Sequence, residues 1–299
     1  MRLTRAIGAA MVMLCLAGCT ASFEDLADCH GSDNAKAVKS CTALIDSPIV
    51  VGAYKAEVLK YRGLAYSREG DQDRAIADYV DAAHLKPDDP VIFNNLGHFY
   101  SLKGQPKLAM ANYDKALRLK PDDVTALDNR GLLSEAQGDH DGAIADYDEA
   151  IRLKPDHWIT YNNRGLAYRG KDDLAHAISD FDESLRLNPS NEPALSNRGL
   201  AYSRKGDQTR ALADFELALR LKPDDGIAFN NRGVAYDAMG ERERAIADYS
   251  EAIRLRPNDP MAYRNRAASY RTKGDSRRAA ADIAEANRLK AAQPFAAER

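Results

Sequence analysis

The chain has 299 residues, with 42 Lys and Arg against 45 Asp and Glu and a formal net charge of −3. Both signs are interspersed, so there is no basic stripe to displace counterions from phosphates, and nucleic-acid binding is excluded as the expected function. Six scattered histidines and four cysteines form no ligand set at metal-site spacing, so no metal and no other cofactor is expected.

Residues 1–18 differ in character from the rest of the chain. Arg2 and Arg5 precede an apolar run from Ala6 to Leu16, which is too short to span a bilayer as a stable helix and is charged in the manner of a secretory signal. The run ends in Leu16, Ala17, Gly18 and Cys19, which resembles the lipobox of bacterial lipoproteins. That resemblance implies diacylation of Cys19 and cleavage just before it. Thr20 stands where an aspartate would favour inner-membrane retention, so the resemblance further implies the periplasmic face of the outer membrane of a Gram-negative cell. An ordinary signal cut after Ala21, leaving a soluble periplasmic protein, is the alternative.

Residues 19–55 read as an anchor segment followed by two capping helices, Phe23 to Cys29 and Asn34 to Ile45, around a Gly-Ser-Asp turn. Cys15 leaves with the signal and Cys19 would carry lipid, so Cys29 and Cys41 remain as thiols. An oxidising periplasm would pair them, with two small buried thiols as the alternative.

From Ala56 onward a 34-residue period governs the chain. Pro87, Pro121, Pro155, Pro189, Pro223 and Pro257 keep this interval without a slip, and they set seven units opening at Ala56, Pro90, Val124, Trp158, Glu192, Gly226 and Pro260, within residues 56–293. Position 8 of the unit is Gly63, Gly97, Gly131, Gly165, Gly199, Gly233 and then Ala267. Position 11 is Tyr in six units, with Ser134 the exception, and position 20 is Ala throughout. Position 24 is aromatic until Ile283. These marks closely resemble the tetratricopeptide repeat family. The resemblance implies an all-α fold, a right-handed superhelical solenoid of stacked helix-turn-helix repeats whose first helices line a concave groove.

The marked positions have physical reasons. Positions 4, 8 and 11 share one face of the first helix and positions 20, 24 and 27 one face of the second, so two stripes meet. A helical glycine costs about 0.5–1 kcal/mol against alanine, which close approach to the position 20 alanine is expected to offset. Lys-Pro-Asp-Asp at 86–89, 120–123 and 222–225 ends one helix and offers a carboxylate to cap the next. Position 7 is Arg and position 23 Asp in six units, the exceptions Leu96 and Asn112 sharing the second, which predicts an ion pair inside each of the others. Ala37 and Cys41 take the relative places of positions 20 and 24, so residues 23–45 read as a degenerate capping repeat. The seventh unit departs from the pattern as a soluble cap should. Pro294 stops its helix, leaving 294–299 as a tail.

The remaining stripe of each first helix carries the candidate site. Position 6 is Asn95, Asn129, Asn163, Asn197, Asn231 and Asn265, with Tyr61 in the first unit, although asparagine is poor in helix interiors. Positions 2 and 9 are mainly apolar. An amide carries donor and acceptor, so such a row suits the backbone of an extended peptide, with free amides expected in the unliganded chain; a bond to a neighbouring helix is the alternative role. The row resembles the asparagine ladder in the helical repeats of the O-linked N-acetylglucosamine transferase. The carboxylate clamp of chaperone-binding members is absent, since position 9 never carries Asn and position 2 is never basic. The deviating residues His98, Ser134, Trp158 and Ser184 are isolated, so no enzyme is expected. The reading is a lipid-anchored scaffold that binds an extended segment of another envelope protein, the alternative being a periplasmic binder of a small molecule or glycan.

Overall fold

The structure, a computed structural model, describes residues 23–292. The predicted signal, Cys19 and the tail lie outside the described residues. Within them the chain forms sixteen helices and no strand. Phe23–Cys29 and Asn34–Asp46 come first, and seven helix pairs follow. These are Gly52–Arg68 with Gln72–Leu85, Pro90–Leu102 with Pro106–Leu119, Val124–Ala136 with His140–Leu153, Trp158–Gly170 with Leu174–Leu187, Glu192–Arg204 with Gln208–Leu221, Gly226–Ala238 with Arg242–Leu255, and Pro260–Thr272 with Ser276–Ala292. The chain divides between Leu153 and Lys154 into two compact units. Each is an all-α run of helix pairs in which every pair packs on the next.

Local chemistry sets the ends of these helices. Asp89, Asp123 and Asp225 accept from backbone N–H groups in the first turn of the adjoining helix, as the Pro-Asp-Asp reading requires, and Asp259, after Pro257 and Asn258, does the same. Sequence reading missed a second row of caps, Asp71, Asp173 and Asp207, at the start of the second helices. Between the two helices the chain turns through a left-handed residue. Gly70, Gly104, Gly138, Gly206, Gly240 and Gly274 supply it, and in the fourth repeat Asp172 does so at φ 61°.

In each unit the core is a column of alanines and rings. All seven position 20 alanines are buried, as are the rings of Tyr79, Tyr113, Tyr147, Phe181, Phe215 and Tyr249. The reason for the position 8 glycines differs from the one expected. A Cβ built on Gly63, Gly97, Gly131, Gly165, Gly199 or Gly233 would lie 2.5–2.7 Å from the position 24 ring of the same repeat, so these glycines make room for the ring rather than for the alanine. In the seventh repeat Ile283 replaces the ring, and there the glycine too is gone, replaced by the buried Ala267.

All six predicted ion pairs are present. Arg62–Asp78, Arg130–Asp146, Arg164–Asp180, Arg198–Asp214, Arg232–Asp248 and Arg266–Asp282 approach to 2.6–2.8 Å. Each arginine forks onto both carboxylate oxygens with Nε and Nη2. Nη1 of Arg62, Arg130, Arg198 and Arg266 also reaches back to the preceding second helix, at Thr42, Asp114, Asp182 and Ser250. One guanidinium thus joins two helices of its own repeat and one of the previous repeat. In the second repeat Leu96 is buried, and Asn112 turns its amide to its own helix at Leu108 O.

At the N-terminal end Cys29 and Cys41 are bonded to each other, both buried with Leu26, Leu44, Val50 and Val58. This small core holds the two capping helices against the first repeat.

Candidate functional site

With positions 4, 8 and 11 in the core, the opposite face of each first helix is left to solvent. In the N-terminal unit it exposes Val91 and Leu132, and in the C-terminal unit Ile159, Ile227, Val234 and Met261, each 40–51 % exposed. All of these stand at positions 2 and 9, two turns apart on one stripe. Leu166 and Leu200 are partly buried beside them.

The asparagines border this stripe, but their amides are largely committed. Asn129, Asn197 and Asn265 donate Nδ2 to Oδ1 of Asn94, Asn162 and Asn230 in the preceding repeat, at 3.0, 3.2 and 2.9 Å. Asn197 Oδ1 also accepts from Arg169 Nη1 at 3.1 Å. Asn95 donates to Val91 O of its own helix, and Asn163 is buried and accepts weakly from Asn162. Asn231 makes no side-chain hydrogen bond among the described residues and is half-buried. The expectation of a row of free amides therefore fails for most of its donors, because a staple between adjacent repeats satisfies them first. What remains open among the described residues is the whole amide of Asn231, Oδ1 of Asn95, Asn129 and Asn265, and Nδ2 of Asn94, Asn163 and Asn230.

The acceptors Asn94, Asn162 and Asn230 at position 5 escaped sequence reading. Their signal was present as the Asn-Asn dipeptides at 94–95, 162–163 and 230–231, which occur in every second repeat. The unit of this stripe is therefore two repeats long.

At the first repeat the stripe ends in a cleft of about 390 Å³, lined by His30, Asn34, Tyr61 and Arg68 among others. His30 and Tyr61 lie ring to ring at 4.0 Å, and Asn34 Oδ1 is buried without a hydrogen-bond partner. Burial pushes His30 below the usual histidine range and outweighs the opposing pull of the Glu57 carboxylate. Beside it Glu57, Lys60, Lys86 and Asp89 form a closed ring of charges with contacts of 3.0–3.4 Å. Among the described residues no group of His, Cys, Asp and Glu is placed to hold a metal ion, and no helix is long and apolar enough to cross a membrane.

In each unit, two-helix repeats that bury a glycine-ring seam and leave an apolar, amide-bordered face to solvent define an α-solenoid of the protein-interaction class. The chain belongs to the tetratricopeptide repeat family: family models described as tetratricopeptide repeat or TPR repeat match residues 91–123, 136–172, 162–226 and 226–259. No curated protein matches the sequence. Solved structures do. A tetratricopeptide repeat protein from Parabacteroides merdae is similar at TM-score 0.65 and 24% identity, over 78% of this chain and 93% of that one. The pilF protein of Pseudomonas aeruginosa is similar at 0.62 and 20%, over 69% and 94%. YrrB, a TPR protein with an unusual peptide-binding site, is similar at 0.51 and 23%, over 62% and 95%. At these identities the likeness is one of fold.

Proposed function

We propose that the protein is a scaffold that holds an extended segment of another envelope protein against its first-helix face, tethered by a lipid on Cys19 to the periplasmic side of the outer membrane. The observation that carries the binding role is the stripe of Ile159, Ile227, Val234 and Met261, exposed apolar side chains at position 2 of three first helices and, two turns on from Ile227, at position 9 of one. A strand-like peptide places alternate side chains on one side, so such a row meets them, while the uncommitted amide of Asn231 and the free Oδ1 of Asn265 meet its backbone. That YrrB, of the same fold, has a peptide-binding site supports the reading. The tether rests on the resemblance of Leu16 to Cys19 to a lipobox.

A photo-crosslinker placed at Ile227 or Val234 in cells, with the native anchor present, should trap one or a few envelope proteins. The same group at Ala281, exposed on a second helix, should not. Equal trapping from both positions would remove the binding face. Cys19→Ala should abolish labelling by a fatty-acid probe, and labelling that survives it would remove the tether alone.

A second reading, a small polar ligand or glycan, is favoured by the His30 and Tyr61 ring pair beside the unpartnered Asn34 oxygen. Tyr61→Ala would then weaken binding on a glycan array and leave crosslinking at Val234 intact.

A further inference from the structure

We infer that Arg264 and Arg271 form a cationic clamp at the C-terminal end of this face and select a partner segment bearing an acidic pair next to its apolar residues. The inference rests on the peptide-binding reading and specifies the partner's chemistry.

Positions 5 and 12 of a first helix look toward the next repeat. Asn162 and Asn230 at position 5 receive the amides of Asn197 and Asn265 from the next repeat, and Arg169 at position 12 donates to Asn197. In the seventh repeat the same two places hold Arg264 and Arg271, and among the described residues no helix packs beyond them. Both are exposed, and neither has a side-chain hydrogen bond or an acidic partner among the described residues. Seven residues apart on one helix, they stand about 10 Å from each other along the edge of the stripe, next to Met261 and one repeat from Val234. Their long side chains reach the two carboxylates of an adjacent acidic pair, with the planar fork that suits such groups.

The charge around them favours the same partner. Residues 260–292 hold eight of the chain's 42 basic residues and only three of its 45 acidic ones. All three acids are taken, Asp275 by Arg278, Asp282 by Arg266 and Glu285 by Arg288. The seventh repeat is thus a basic end on an acidic chain. A segment with apolar side chains along Ile227, Val234 and Met261 and carboxylates at its end matches both the stripe and this field.

The test uses the full chain and fluorescein-labelled twelve-residue peptides with leucine at alternate positions. One peptide ends in Asp-Glu, one in the amide isosteres Asn-Gln, and one carries Asp-Glu at its centre. Anisotropy at 50 mM salt should show the acid-ended peptide binding at least tenfold more tightly than its amide twin. R264Q/R271Q should reduce that ratio to under threefold with an unchanged melting temperature, because both side chains are solvent-exposed. V234E should weaken all three peptides alike. Equal binding of acid and amide peptides, or a ratio untouched by R264Q/R271Q, overturns the clamp while leaving the groove reading intact. Failure of every peptide to bind overturns both. Loss in R264Q/R271Q of binding to phosphatidylglycerol vesicles, with the peptide ratio unchanged, would assign the arginines to a lipid surface and overturn the clamp.

Discussion

Asn265 donates its side-chain N–H to Asn230 Oδ1 over 2.9 Å, and this bond joins the seventh repeat to the sixth. Asn231, one residue along the partner helix, makes no such bond. Both sit in first helices, where alanine is the better helix former, so the gain in propensity from Asn→Ala is shared. Only Asn265→Ala loses a hydrogen bond and leaves the Asn230 oxygen without its donor. The two variants should therefore differ by about 1 kcal/mol in stability, with Asn231→Ala the more stable. Urea titration followed by circular dichroism measures the difference, and equal midpoints would show that the amide staple contributes nothing.

The glycine-ring seam allows a comparison within one chain. At Gly165 an added methyl group would lie 2.6 Å from Phe181, whereas the seventh repeat has Ala267 and the smaller Ile283 at the same two positions. Gly165→Ala should destabilise by about 1–3 kcal/mol through overpacking, although alanine favours helix. Ala267→Gly should cost about 0.5–1 kcal/mol from propensity alone. Gly165→Ala combined with Phe181→Leu, which makes room for the methyl group, should recover part of the loss. A Gly165→Ala protein that melts above the parent would contradict the steric account.

The fold was legible because its determinants are local and repeated. Proline at position 32 and the carboxylate after it act on two adjoining helices. The small and large positions recur at fixed places in each repeat, although the partner of the position 8 glycine is the position 24 ring and not the expected position 20 alanine. Seven copies make the register plain. The pairing of Arg164 with Asp180 was legible for a further reason: Leu96 and Asn112 depart together, as partners should. The face was harder to read. Whether Asn197 is free depends on Asn162, 35 residues away, and on the rotation that brings position 6 of one repeat beside position 5 of the last, which no single-repeat pattern contains. Arg264 and Arg271 carry no mark in the sequence, because whether a charge is paired is a property of the fold.

Asp172 departs from its own repeat family in a way that costs stability. It holds φ at 61°, where six other repeats use glycine, and its carboxylate meets Arg204 only at 3.6 Å with both side chains more than half exposed. A β-carbon in this region costs about 1–2 kcal/mol, while an exposed ion pair contributes about 0–1 kcal/mol. Asp172→Gly should thus raise stability by up to about 1 kcal/mol. Differential scanning calorimetry reads this as a higher melting temperature. A lower one would show that the contact with Arg204 outweighs the strain.

The charge ring of the first repeat gives a pH dependence of definite sign. Burial alone would raise the carboxyls of Glu57 and Asp89, but the hydrogen bonds from Lys60 to both, and from Lys86 chiefly to Glu57, outweigh it and hold both below the usual carboxylate range. A depressed folded value means that the folded chain resists protonation more than the unfolded one does. Its contribution is therefore complete above the unfolded values, near pH 4 to 4.5, and is lost as pH falls through the depressed ones. In K60M/K86M the two carboxyls keep their burial and lose their partners, so their protonation moves upward. Melting temperatures measured from pH 7 to pH 3 should then fall less steeply below pH 4.5 in the variant than in the parent, from a lower starting value at pH 7. Parallel curves would mean that the lysines do not hold these carboxylates in the folded state.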